Sequence, residues 1–185
     1  DIIVKGKGGH AASPHLAIDP VVISAQIISS VQTVISRSTD PVDKALISIT
    51  KINAGTAYNV IDDQVKMGGT IRTFRKETRS FIEKRLKELC KGIADAHGAE
   101  IKIEFDLINK YPPTINSKKE TKFASDVAKD LVGDDKVITD IDPSMGGEDF
   151  SYLLEKKPGS YLYLGQGDDD HKAHLHTTKY DFNDS

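Results

Sequence analysis

Residues 64–107 read QVKMGGTIRTFRKETRSFIEKRLKELCKGIADAHGAEIKIEFDL. In the first ten or so, Val65, Met67, Gly69 and Ile71 alternate with Lys66, Gly68, Thr70 and Arg72. A period of two is that of a strand with one face turned to a core, here over Gln64 to Phe74. From about Glu77 to His97 the period changes. Ile82, Leu86, Leu89 and Ile93 make one helical stripe, and Gly98 suits the position just past a helix end. Ile101, Ile103, Phe105 and Leu107 then alternate with Lys102, Glu104 and Asp106, the cleanest strand signal in the chain.

Working outward, Ile2 to Lys5 reads as a strand. Asp19-Pro20 is a helix start, since Asp accepts from the free N–H groups of the first turn and Pro suits its first position. Val21, Ala25, Ile28, Val31 and Ile35 recur at helical spacing, with Ser24, Ser29 and Thr33 opposite, and the helix is expected to end near Arg37. Ala45 to Ile52 is a strand and Asn53 to Asn59 a loop. The order is β-α-β-β-α-β over residues 1–110, an α+β, ferredoxin-like arrangement with two helices on one face of an antiparallel sheet. Tyr111-Pro112-Pro113 breaks the pattern and is the expected domain boundary. In 111–185, Ser117-Lys118-Lys119-Glu120 has the capping-box spacing. Phe123, Val127 and Leu131 share a helix face that Gly133 ends. Val137 to Asp140 is expected as a short strand, Asp142 to Phe150 as a turn leading into a short helix through Leu154, and Ser160 to Leu164 as a buried strand. This second part has no complete sheet and would bury a poor core alone.

Lys plus Arg total 25 against 28 Asp plus Glu, a formal net charge of -3. That balance, with basic residues interleaved among Glu77, Glu83 and Glu88, argues against a nucleic-acid partner. No run approaches the ~18 apolar residues of a membrane span. The lone cysteine, Cys90, cannot form an internal disulfide, which makes a cytoplasmic setting the expectation, and it reads as a small buried hydrophobe. Asp1 opens inside a strand-like run without Met, so a longer parent is expected.

Six residues, 171–176, hold His171, His174 and His176 just after Asp168 to Asp170. Histidine is the commonest transition-metal ligand. In an extended segment His174 and His176 would point one way and His171 the other. A metal site needs three or four ligands, and neither HExxH nor paired CxxC is present to complete one; an exposed polar loop is the alternative. His10 follows Gly8-Gly9, whose small size leaves room for a ligand or another chain to approach the imidazole, or makes a plain turn. Gly146-Gly147 ahead of Glu148-Asp149-Phe150 can offer N–H groups to an anion at a helix start, or simply begin the helix. Arg72, on a glycine-rich strand face, can reach a carboxylate bidentately or form a surface ion pair. Asn59 sits among apolar neighbours, where loop turning is the alternative. His97, at a helix C-terminus, is explained by the dipole.

Taken in order, Gly6-Lys7-Gly8-Gly9-His10-Ala11-Ala12-Ser13-Pro14-His15, Asp19-Pro20-Val21, Asn59-Val60-Ile61, Gly68-Gly69-Thr70-Ile71-Arg72, Tyr111-Pro112-Pro113-Thr114, Met145-Gly146-Gly147-Glu148-Asp149-Phe150 and Leu175-His176 with Tyr180-Asp181-Phe182 form a specific series. It resembles the metal-dependent amidohydrolases related to aminoacylase and bacterial carboxypeptidases. The nearest branch is that of N-acyl-amino-acid amidohydrolases, hippurate hydrolases and auxin-conjugate hydrolases. The resemblance implies a lid and dimerisation domain over 1–110 and the C-terminal part of an α/β zinc-peptidase-like catalytic domain over 111–185. It implies two divalent ions (Zn, Mn, Co or Ni) in the whole enzyme, with His176 the one metal ligand carried here. The other ligands and the general-base glutamate would lie upstream, so the fragment alone is expected to bind metal weakly or not at all. His10 matches a lid histidine that reaches an active site, that of the partner subunit, to stabilise an oxyanion. Asn59 and Arg72 resemble lid residues that hold substrate, and Gly146 and Gly147 a loop lining its pocket. Thr177-Thr178 departs from the small residue or His, then Pro, usual after the ligand. The implied parent is a homodimer acting on N-acyl amino acids or small peptides; a non-catalytic dimerisation module is the alternative.

Overall fold

In the computed structural model, which describes residues 1–106, 111–168 and 170–182, the first strand is paired on both edges. β1 (Ile2–Lys5) lies antiparallel to β5 (Gln64–Thr73) on one side and β6 (Glu100–Ile103) on the other. β3 (Ala45–Asn53) adds to the free edge of β5, giving the sheet order β3-β5-β1-β6, antiparallel throughout. Two-residue strands β2 (Gly9–His10) and β4 (Val60–Ile61) pair separately. Helices α1 (Pro20–Thr33) and α2 (Lys76–Ala96) connect the strands in the expected α+β order. Phe105 is half-buried beyond β6, as its alternation predicts; Leu107 and the stretch to residue 110 lie outside the described residues.

The core lies between the two helices and one sheet face. Ile2, Val4, Val65 and Met67 meet Ile23, Ile27, Val31 and Val34 of the first helical stretch, and Ile82, Leu86, Cys90 and Ala94 of α2. Burying each of the larger aliphatic side chains contributes about 1.5–3 kcal/mol. Both helix faces differ from the sequence reading. In α1 the buried residues are Pro20, Ile23, Ser24, Ile27 and Val31, whereas Val21 and Ala25 face solvent. This helix is apolar on most sides, so periodicity does not single out its core face. In α2 the inner row runs Thr78, Ile82, Leu86, Cys90, Ala94, a four-residue step, leaving Leu89 and Ile93 half-buried. Burial pushes the Cys90 thiol up to about 11, so it stays protonated at neutral pH and serves as packing.

The helix caps follow local chemistry. Asp19 Oδ1 accepts from the N–H of Val21 at 2.8 Å and of Val22 at 3.4 Å, as expected of Asp before Pro. α1 widens into one π turn, Val34–Ser38, which the Thr39 hydroxyl closes by donating to the Val34 carbonyl at 2.8 Å. Before α2, Asp43 accepts from Arg75 and from the Thr78 hydroxyl, and the Arg75 guanidinium holds its carboxyl below the usual carboxylate range.

The chain forms two compact units, Asp1–Thr114 with Asp140–Tyr152 and Ile115–Thr139 with Leu153–Ser185. In the second, α3 (Lys118–Val132) buries no residue, and Phe123, Val127 and Leu131 are exposed. Ser117 sits at its N-cap, but the hydroxyl accepts from the Gly159 N–H at 3.2 Å rather than from its own helix, so the capping box is not closed. Val137 to Asp140 is irregular, following a short 3-10 turn over Asp134–Lys136, and has no strand partner among the described residues. Ser160 to Leu164 is likewise not a strand. The Asn116 side chain satisfies its backbone instead, accepting from Tyr161 N at 2.7 Å and donating to Tyr161 O at 2.9 Å, while Leu162 and Leu164 are exposed. α4 (Phe150–Leu154) is the expected short helix.

One register device keeps β3 in line. The ladder skips Thr50 between Ile49↔Gly69 and Lys51↔Gly68, a bulge that keeps Ile47, Ile49 and Ile52 on one face. Gly69 admits the bulge, since a Cβ there would collide with the Ser48 carbonyl and lie 2.9 Å from Ile49 Cα. Gly69→Ala is expected to destabilise the chain by roughly 1–3 kcal/mol, the usual range for overpacking. Gly92→Ala, where a Cβ meets nothing, is expected to be neutral or stabilising in the same urea titration.

Candidate active site

His10 and Asn59 are brought together by the short β2/β4 ladder. His10 pairs with Val60 and Gly9 with Ile61. The N–H of Ala11 then donates to the Asn59 carbonyl at 2.9 Å. Tyr58 and Asn59 form the tip of a turn closed by Val60 N to Ala57 O at 3.3 Å, and both are exposed, as is His10. Gly8, two residues ahead of His10, lies close against this ladder. A Cβ on Gly8 would come within 2.9 Å of the Ile61 carbonyl oxygen.

The orientation of the imidazole is fixed by its own loop. The backbone N–H of Ala12 donates to His10 Nδ1 at 3.1 Å, and Ser13 N donates to the His10 carbonyl at 2.8 Å. A ring whose Nδ1 accepts is neutral and carries its proton on Nε2. His10 therefore presents an Nε2–H donor outward. This bond involves a backbone group two residues on, so residue identities gave no sign of it.

Arg72 and Gly147 form a second cluster. Arg72 is half-buried on β5 opposite Leu46. Its guanidinium lies against the bare α-carbon of Gly147. The Gly146 N–H is already engaged, donating to Ser144 Oγ at 3.1 Å. The helix starts only at Phe150, so Gly146 does not stand as a helix-start anion donor, contrary to that reading of the sequence. The Ser-x-Gly turn was visible in the sequence as a hydroxyl two residues before the glycine.

These clusters lie at opposite ends of one strand. Lys5↔Gln64 puts the β2/β4 end of the unit at the start of β5, and Arg72 is eight residues further on. At about 3.3 Å per residue the separation is on the order of 25 Å. The His10 and Arg72 clusters therefore do not meet within one chain.

The histidine run belongs to the second unit and is not extended. His176 adopts φ 63° within a turn in which Thr177 Oγ1 donates to the His174 carbonyl at 2.9 Å. That left-handed geometry is uncommon outside glycine, and histidine is among the residues that tolerate it. His171 Nδ1 bonds Asp168 Oδ1 at 2.7 Å, and this contact with two backbone N–H bonds holds the Asp168 carboxyl below its usual range. Among the described residues no three His, Cys, Asp or Glu side chains converge as a metal site. Among the described residues no helix is long and apolar enough to cross a membrane.

The sequence pattern of peptidase family M20/M25/M40 matches residues 6–185, and the chain belongs to that family. It is similar to a hippurate hydrolase of Campylobacter jejuni subsp. jejuni, 37% identical over 183 residues, covering 99% of this chain and 46% of that protein. It is also similar to an N-acetylcysteine deacetylase of Bacillus subtilis, 41% identical over 165 residues, covering 89% of this chain and 42% of that one. Among solved structures, the Bacillus subtilis YXEP protein, a dinuclear metal binding peptidase from the M20 family, superposes with a TM-score of 0.68 at 31% identity. The match covers 98% of this chain and 43% of that one. A structure from methicillin resistant Staphylococcus aureus gives 0.77 at 29% identity, covering 98% and 46%. The chain spans less than half the length of these relatives.

The His10 geometry has a direct check. Long-range 1H–15N spectra are expected to show an unprotonated Nδ1 and a protonated Nε2. Ala12→Pro, which removes the donor, is expected to shift the ring toward a mixture of tautomers; an unchanged ring would remove the Ala12 bond from the argument.

Proposed function

We propose that this chain is part of a metal-dependent amidohydrolase that hydrolyses the amide bond of N-acyl amino acids or small peptides. Residues 1–110 act as lid and dimerisation domain, and residues 111–185 contribute the C-terminal segment of the catalytic domain. The relatives named for hippurate, N-acetylcysteine and N-acetyldiaminopimelate share one bond type, an acyl group on the nitrogen of an amino acid. The enzyme is cytoplasmic, a setting that the single buried thiol suits.

The observation that carries the mechanism is the bond from the Ala12 N–H to His10 Nδ1, which leaves Nε2 as the ring's donor. Nε2–H donates to the carbonyl oxygen as the oxyanion develops, and Asn59 beside it orients the same carbonyl. Arg72 takes the substrate carboxylate with two parallel N–H groups, against the wall made by Gly146 and Gly147. Two divalent cations, which His176 would help to hold, would supply an activated water and polarise the amide when bound. From this chain His176 is the ligand offered to them. The ~25 Å between the His10 and Arg72 clusters supports a homodimer in which His10 and Asn59 act on the site of the partner subunit.

The test uses the full-length protein with Zn²⁺, Mn²⁺, Co²⁺ or Ni²⁺ on N-acetyl and N-benzoyl amino acids. His176→Ala is expected to abolish turnover. His10→Ala is expected to lower kcat by about 10²–10³ with little change in KM, as for loss of one oxyanion donor. Co-expressed His10→Ala and Arg72→Ala chains are expected to regain activity, up to about a quarter of wild type, because a mixed dimer has one site with both residues intact. No turnover with any metal overturns the hydrolase reading, and inactive mixed dimers overturn the shared site.

A further inference from the structure

We infer that Gly147 is a positioning residue for Arg72, its missing side chain setting where the guanidinium stands. This rests on the carboxylate role proposed for Arg72. An ideal Cβ on Gly147 would lie 3.0 Å from both Cζ and Nη2 of Arg72, and closer still to Nη1. Real Cβ atoms do not approach other atoms so closely, so one side of the contact has to move. The glycine is therefore a steric requirement of the arginine, and its φ is not in the left-handed region that would explain it on backbone grounds.

The loop is the less movable side. Gly146 N is tied to Ser144 Oγ at 3.1 Å, and Ser151 N donates to the Glu148 carbonyl at 3.2 Å. Ser151 is fully buried and its hydroxyl also donates to Glu148 O, at 2.5 Å. The Tyr152 ring packs against Tyr111 with centroids 5.9 Å apart. Gly147 is bracketed by these bonds, whereas the guanidinium is the end of a long side chain. A methyl at 147 thus displaces Nη1 and Nη2 and leaves the sheet and loop in place. A bidentate pair depends on both nitrogens meeting both carboxylate oxygens, so a displacement of about an ångström is enough to weaken it.

The experiment is a double-mutant cycle on the full-length enzyme, read on an N-acyl amino acid and on its C-terminal amide. Gly147→Ala is expected to raise KM for the free acid about tenfold more than it raises KM for the amide. In an Arg72→Ala background the same substitution is expected to cost nothing further, because its effect passes through the arginine. Additive losses, or equal losses on acid and amide, overturn the inference. Positioning also has a readout that needs no turnover. The Arg72 Nε–Hε NMR signal is expected to shift in Gly147→Ala while the amide signals of β1 and β6 stay fixed, and an unmoved Arg72 signal overturns the proposal. If the wild type hydrolyses neither substrate, the hydrolase reading fails and the NMR result still decides the positioning.

Discussion

The fold hangs on β1, a strand of four residues hydrogen-bonded along both edges. Ile2 and Val4 face Met67 and Val65 on one side and Ile103 and Ile101 on the other, so each side chain of the pair sits in a row of three. Val4 and Val65 have no solvent exposure at all. A strand this short is marginal by itself, and the double pairing is what satisfies its backbone and buries its inner face. Both helices return to the sheet only because β1 is central: the chain leaves it for α1 and meets it again through β5 and β6.

That constraint also decides where the candidate site residues stand. The chain leaving β1 at Lys5 makes the β2/β4 ladder within a few residues, so His10 and Asn59 are fixed at that end of the sheet. Antiparallel pairing sends β5 the other way, and Arg72 is carried to the far end. One strand thus holds the His10 and Arg72 clusters apart. A loop could fold back to join them, but a ladder cannot.

What was legible in the sequence was what short-range periodicity encodes. The strands at Ile2, Ala45, Gln64 and Ile101, the Asp19-Pro20 start and the burial of Cys90 follow from alternation, capping and side-chain type. The inward face of α1 did not, because Val21, Val22, Ile23, Ile27 and Ile28 give apolar surface on several sides and the sheet selects among them. The strands expected at Val137 and Ser160 failed for a related reason. Apolar composition makes a segment able to pair, but pairing needs a partner, and the Asn116 side chain took that place for Tyr161. At the candidate site, residue types pointed to His10, Asn59, Arg72 and Gly147 as separate features. The Ala12 bond that sets the imidazole, and the contact between Arg72 and Gly147 across 75 positions of sequence, are tertiary facts.

The second unit carries the same lesson in reverse. Phe123, Val127 and Leu131 form as clear a helical stripe as any in the chain, yet α3 buries none of it, whereas the weaker pattern of α1 puts Ile23, Ile27 and Val31 into the core. An amphipathic face states that a partner exists, not which segment provides it. The hydrophobic effect rewards removal of that surface from water whatever covers it. In a chain that spans less than half of its relatives' length, an uncovered stripe and a histidine held in a left-handed turn are properties of one kind. Each is shaped by local sequence, and each acquires its meaning from residues that the stripe and the turn do not themselves contain.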